Sequence, residues 1–156
     1  MALVHIRGLL AAGLATGAVL VVTAGCGAKA SAAPHTCTPV DRQFINTVQL
    51  NMASLGLWAD EYKSGDMVAA DVVQQAHNAA TIVGDTTPID PSLKTTRSLL
   101  NAMFNEYARA IQADAKHRDA SQHLYRAYGL ADFAHEVLVQ AEPALKARGC
   151  DITALL

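Results

Sequence analysis

Apolar residues recur along this chain at alternating gaps of three and four, the spacing that lines one side of an α-helix. Ile45, Val48, Met52, Leu55, Ala59 and Tyr62 form one such stripe. Thr38-Pro39-Val40-Asp41 stands ahead of it as a helix start. The threonine hydroxyl can cap, the proline lacks only an N–H that has no partner there, and the aspartate faces the positive end of the helix. Ser64-Gly65 closes the segment. Leu55 lies inside the stripe, so Leu55→Asp is expected to unfold the domain. A second helix opens at Asp66, turns Ala69, Val73, Ala76, Ala80 and Val83 inward, and has Gly84 as its stop. Its small side chains let neighbouring helices lie close.

Asp90-Pro91 starts a third helix that carries Leu93, Leu100, Met103, Tyr107 and Ala110 inward. After Pro91 no proline occurs before Pro143, and Gly129 is the only glycine up to Ala141. One unbroken helix of that length would run about 75 Å at 1.5 Å per residue, beyond any compact domain of this size. The turn is placed at Lys116 to Ser121, where Asp119 or Ser121 can cap a new helix. That fourth helix buries Leu124, Ala127, Ala131, Ala134, Leu138, Ala141 and Leu145. It bends near Pro143, whose ring meets the carbonyl of Val139, and closes at Gly149.

Strand-type alternation is absent, so the pattern predicts an all-α fold, a four-helix antiparallel up-down bundle over residues 37–156. With four helices the first start and the last end share one end of the bundle. Cys37 and Cys150 fall there. Three or five helices would hold them a bundle length apart, about 35 Å, whereas a disulfide needs Cα atoms within about 7 Å. One disulfide joining the two ends is therefore expected, and closing so long a loop stabilises the fold by about 4–5 kcal/mol in the chain-entropy account.

Ahead of the bundle, His5 and Arg7 precede the uncharged run Leu9 to Val22, the basic and apolar regions of an export signal. Gly13 and Gly17 interrupt a run already short for a bilayer span. It ends in Val19-Leu20-Val21-Val22-Thr23-Ala24-Gly25-Cys26, small residues directly before a cysteine. This stretch resembles the lipobox of bacterial lipoproteins. The resemblance implies that residues 1–25 are a signal peptide and that Cys26 carries a thioether-linked diacylglycerol. Two acyl chains hold a protein stably on a bilayer. Residues 26–36, rich in Gly, Ala, Ser, Pro and Lys, then form a flexible tether. Ala30-Ser31-Ala32 is a rival cut site that would release a free secreted protein. Either route leaves Cys37 and Cys150 as an even pair.

Charge excludes one class of partner. Loss of the signal removes Arg7 from the 12 basic residues and none of the 14 acidic ones, leaving 11 against 14, a formal −3. The signs are interspersed, so no basic face tracks a phosphate backbone and nucleic acid is not expected. The expected partners are the membrane, through the lipid on Cys26, and an envelope protein.

Catalytic signatures are missing: no Gly-rich phosphate loop, H-E-x-x-H, C-x-x-C or G-x-S-x-G occurs. Neither an enzyme nor a bound cofactor is expected. Asp60-Glu61 reads as a solvated helix end, and Phe44 and Trp58 as core. His123 and Tyr128 miss a shared helix face by one residue, which argues against a haem pair. One constellation could make a site. Tyr125, Tyr128, Asp132, His135 and Val139 form a polar, half-buried stripe beside the buried face of the fourth helix. Counting from the top of the bundle puts His77, Glu106 and Tyr107 near the level of Tyr128 and Asp132. His77, Glu106, Asp132 and His135 are thus candidate ligands for a borderline metal, against the simpler reading of amphipathic side chains with their tips in water. The function expected is a lipid-anchored, non-enzymatic interaction module outside the cell membrane. The alternative is a binder of a small ligand, metal or haem, secreted without lipid.

Overall fold

The computed structural model describes residues 36–156. Four helices, α1 (Pro39–Ser64), α2 (Ala69–Asp85), α3 (Pro91–Ala115) and α4 (Ser121–Ala147), alternate in direction and are followed by one 3-10 turn, Thr153–Leu155. Among the described residues there is no strand. None of these helices is long and apolar enough to cross a membrane.

Local chemistry sets the helix ends. Thr38 Oγ1 accepts the Asp41 amide at 3.1 Å, with Pro39 behind it. Asp90 accepts the amides of Ser92 and Leu93 at 2.8 and 3.2 Å. Gly65 and Gly149 close α1 and α4 at φ 83° and 79°, backbone that only glycine adopts without cost. The α3 terminus takes the same form with His117 at φ 53°, the Arg118 amide reaching the Ala113 carbonyl at 2.9 Å. Asp119 receives the chain at α4, accepting the Ser121 amide at 2.8 Å. Pro143 is held within α4 rather than ending it.

α2 departs from expectation at both ends. It begins at Ala69 rather than Asp66, and it is turned so that Val72 is buried while Val73 is half-exposed. Gly84 is no stop, because α2 continues to Asp85. A Cβ at Gly84 would lie 2.6 Å from Asn101 Nδ2, and that amide crosses from α3 to donate to the Ala80 carbonyl at 2.7 Å. The glycine permits a close helix–helix approach.

α3 is the central element, packed against both α2 and α4. Its buried set spreads beyond one stripe, adding Thr96, Phe104, Ala108 and Ile111 to the expected Leu93, Leu100, Met103 and Ala110. α1 is held differently. Its first turns bury Phe44, Ile45 and Val48, whereas Met52, Leu55 and Trp58 are only partly covered. The expectation that Leu55 sits in the core is therefore corrected: it is partly covered at the core edge, and α1 packs against α2 and the C-terminal turn far less closely than α3 packs against α2 and α4.

One end of the bundle is tied. Cys37 and Cys150, 113 residues apart in sequence, are joined with their Cα atoms 5.0 Å apart. The Cys37 amide donates to the Arg148 carbonyl at 2.6 Å, and the Arg148 guanidinium pairs with Asp90. Asp41, 3% exposed, accepts the amides of Ile89 and Asp90 at 2.7 and 3.1 Å and the Thr38 hydroxyl at 2.6 Å. Burial pushes its carboxyl up. The Thr38 hydroxyl and the two amides together outweigh that and hold it below its ordinary value of 3.8. Ile152, 2% exposed, plugs the core beneath this end.

Three variants test this arrangement. Val48→Asp should abolish the helical circular-dichroism signal, because it puts an unpaired charge in the core. Leu55→Asp should leave a cooperatively folded protein, and a Leu55→Asp chain without a melting transition would contradict the placement of α1. Asp41→Asn should cost about 1–3 kcal/mol at pH 7 in urea melts, the loss of charge-assisted bonds to buried amides. A depressed pKa stabilises above the unfolded value and loses that contribution as pH falls through the folded one. The gap between wild type and Asp41→Asn should therefore close below pH 3.8.

Candidate functional site: an apolar groove along α1

The second half of α1 keeps its apolar stripe but has no helix pressed onto it. Met52, Leu55, Gly56 and Ala59 instead face Met103 and Tyr107 of α3 and Leu124, Ala127, Tyr128 and Ala131 of α4 across a cavity of about 310 Å³. No charged side chain lines this central part. Tyr107 is half-buried there, and burial raises its phenol above its ordinary value, with Tyr128 and Asp60 adding to the effect.

Two further spaces share lining residues with it, one on each side. Toward the top, Ala59, Tyr107, Leu124 and Tyr128 also border a space of about 280 Å³ that ends at Tyr62, Lys63 and Asp114. The Tyr62 hydroxyl donates to Asp114 at 2.6 Å, a strut from the top of α1 to the top of α3. That bond raises the Tyr62 phenol, since losing its proton would leave two anions in contact. Toward the tied end, Met52 and Ala131 border a space of about 390 Å³ closed by Leu138, Ala154, Leu155 and Leu156, with Asp132 and His135 at its rim. Small residues make the room. Alanine at 59, 127 and 131 and glycine at 56 leave space where leucines would meet.

A second grouping is polar. Glu106 of α3, 9% exposed, pairs with Arg109 on its own helix and accepts from His123 of α4 at 2.7 Å. An ionised carboxylate only accepts, so His123 Nδ1 carries the proton in this bond. The His123 bond holds the Glu106 carboxyl below its ordinary value of 4.5; burial opposes, and Arg109 adds to the lowering. With both oxygens engaged, this cluster is a cross-link between α3 and α4.

The residues singled out from sequence disperse. Cys26 lies outside the described residues. Cys37 and Cys150 are bonded to each other. His77 is exposed, its Nδ1 3.2 Å from Asn105 Oδ1 on the α2–α3 seam. Glu106 is taken up by Arg109 and His123, and Asp132 and His135 are exposed at the groove rim. Among the described residues no three His, Cys, Asp or Glu side chains stand together as a metal site. The half-buried stripe is also corrected: Tyr125 is 81% and Tyr128 69% exposed, and Asp132, His135 and Val139 are exposed too. Counting along helices set axial levels but left each helix's rotation open, and rotation separates His77 from Asp132. Phe44 is core as expected, and Trp58 covers the core edge. Sequence reading missed the groove. Its signal was present in the run of small residues among the inward positions of α4, opposite Gly56 and Ala59 of α1.

Replacing Glu106 with glutamine should lower stability by about 1–3 kcal/mol at pH 7, since both charge-assisted bonds weaken. Because the wild-type pKa is depressed, this deficit should shrink as pH falls through 4.5 and below; thermal melts at neutral and acid pH measure it. A deficit that persisted undiminished well below pH 4.5 would mean the cluster is not held by the ionised carboxylate. Compared with family models, with curated proteins and with solved structures, the chain matches none.

Proposed function

We propose that this chain is exported, held by lipid on Cys26 at the outer face of the cell membrane, and acts there as a non-enzymatic binding module. The groove beside α1 carries the reading, because a folded domain that leaves Met52, Leu55 and Tyr107 partly uncovered around one cavity has an apolar surface to offer. The Cys37–Cys150 bond supports export, since such bonds persist in oxidising compartments. The small residues before Cys26 support the anchor. The polar clusters favour binding over catalysis: Glu106, Asp41 and Asp90 spend their oxygens on amides, Arg109, His123 and Arg148. A second reading, favoured by the same groove, makes the bound species a small apolar ligand rather than a protein.

The anchor is tested directly. Cys26→Ser should move the protein from the membrane to the soluble fraction, and the intact mass of the wild-type chain should begin at Cys26 with diacylglycerol attached. A mature chain beginning at Ala33 with no lipid mass would overturn the anchor and leave the secreted route.

A further inference from the structure

We infer that the outer face of α4 pairs with the same face of a second copy of this chain, the two α4 helices running antiparallel about Gly129. This face shares only Tyr128 with the central part of the groove along α1, and the inference goes beyond the reading of that groove.

The face carries large apolar side chains that the fold leaves in water. Phe44 and Phe104 are sealed in the core, whereas Phe133 is 62% exposed and Tyr125, two turns earlier, is more exposed still. Gly129 stands between them, and all three border one hollow with Leu130 and with Ala102 of α3. Exposed aromatics of this kind are the usual anchors of protein contacts.

Gly129 adds a second observation. Glycine is a poor helix former, and nothing within this chain requires it here, since a Cβ at Gly129 meets no atom within 4 Å. Gly84, by contrast, makes room for Asn101 of the neighbouring helix. On an exposed face a glycine admits a second helix closely, because the side chains at the contact set the distance between axes.

What selects a second copy is that the face is complementary to itself. In an antiparallel pair centred on Gly129, a residue n positions before the glycine stands level with the residue n positions after it in the other copy. Arg126 then meets Asp132, Tyr125 meets Phe133 and Gln122 meets Glu136, each pair occurring twice. Arg126 and Asp132 are exposed, and neither has an ion-pair partner among the described residues. A parallel pair would instead set Arg126 against Arg126 and Asp132 against Asp132. Charge therefore fixes the direction, and the aromatics supply the contact. Tyr125 and Phe133 offer roughly 300 Å² of exposed side chain from each copy. That belongs to the small, transient class of interface, so the dimer is reversible.

The test is sedimentation velocity on the Cys26→Ser chain at low salt, where exposed charges are least screened. It reads the same whether or not the native chain is anchored. A concentration-dependent monomer–dimer equilibrium is expected. Gly129→Leu should weaken it at least tenfold while the helical circular-dichroism signal and melting temperature hold, because leucine is the better helix former. Gly56→Leu, on the groove, should leave it unchanged. Arg126→Glu and Asp132→Arg each set like charges level across the axis, and each should weaken the dimer at least tenfold. The double exchange should restore it to within threefold, and a mixture of the two single variants should associate more tightly than either alone.

Monomers up to millimolar concentration would overturn the inference and leave the face to another protein. A dimer indifferent to Gly129→Leu and to both reversals would overturn it too, since the contact would then lie elsewhere. A double exchange that failed to restore association would rule out the antiparallel pairing itself, and this arm stands even if Gly129→Leu does not fold.

Discussion

The tied end of the bundle is the constraint on which the remaining structure depends. Four segments distant in sequence meet there: the start of α1, the α2–α3 connection, the end of α4 and the C-terminal turn. Asp41 binds the amides of the connection, Asp90 caps α3 and pairs with Arg148, and the Arg148 carbonyl receives the Cys37 amide beside the disulfide. Each buried carboxylate is compensated by several donors, the condition under which a buried charge is tolerated. α1 is thus fixed at its base. Farther up, Tyr62 and Asp114 brace it from the opposite end.

Between these two fixings α1 is free to stand away, and the other three helices explain why it does. α2, α3 and α4 approach closely because their facing positions are alanine and glycine: Ala76, Ala79, Ala80 and Gly84 on α2, Ala127, Ala134 and Ala141 on α4. Asn101 exploits that closeness to bond the backbone of α2. α1 brings larger side chains, Met52, Leu55 and Trp58, which rest on the rim of the packed helices and only partly enter it. A seam results whose central part is lined by apolar side chains and tyrosines.

The polar side chains inside the domain are nearly all committed. Glu106 joins α3 to α4, and Asp41 and Asp90 secure the base. Of the groups the fold buries, the Thr96 hydroxyl alone lacks a partner among the described residues, and it borders none of the cavities described above. The central part of the groove therefore offers apolar contact and two phenols, with charged side chains, Lys63, Asp114 and Asp132, only toward its ends.

Much of this was legible in the chain itself. The 3–4 spacing, Thr38-Pro39, Asp90-Pro91, Gly65 and Gly149 determined four helices, because periodicity and capping act within a few residues of backbone. Helix parity then determined that Cys37 and Cys150 would meet, and the charged stretch from Lys116 to Ser121 marked the third turn. What only the tertiary structure decided is how each helix is rotated and how far apart the helices stand. Val72 displaced Val73, Gly84 proved to be a contact rather than a stop, His123 reached Glu106, and Leu55 came to line an opening. Those outcomes depend on the summed volumes of side chains from helices distant in sequence, which no local pattern contains.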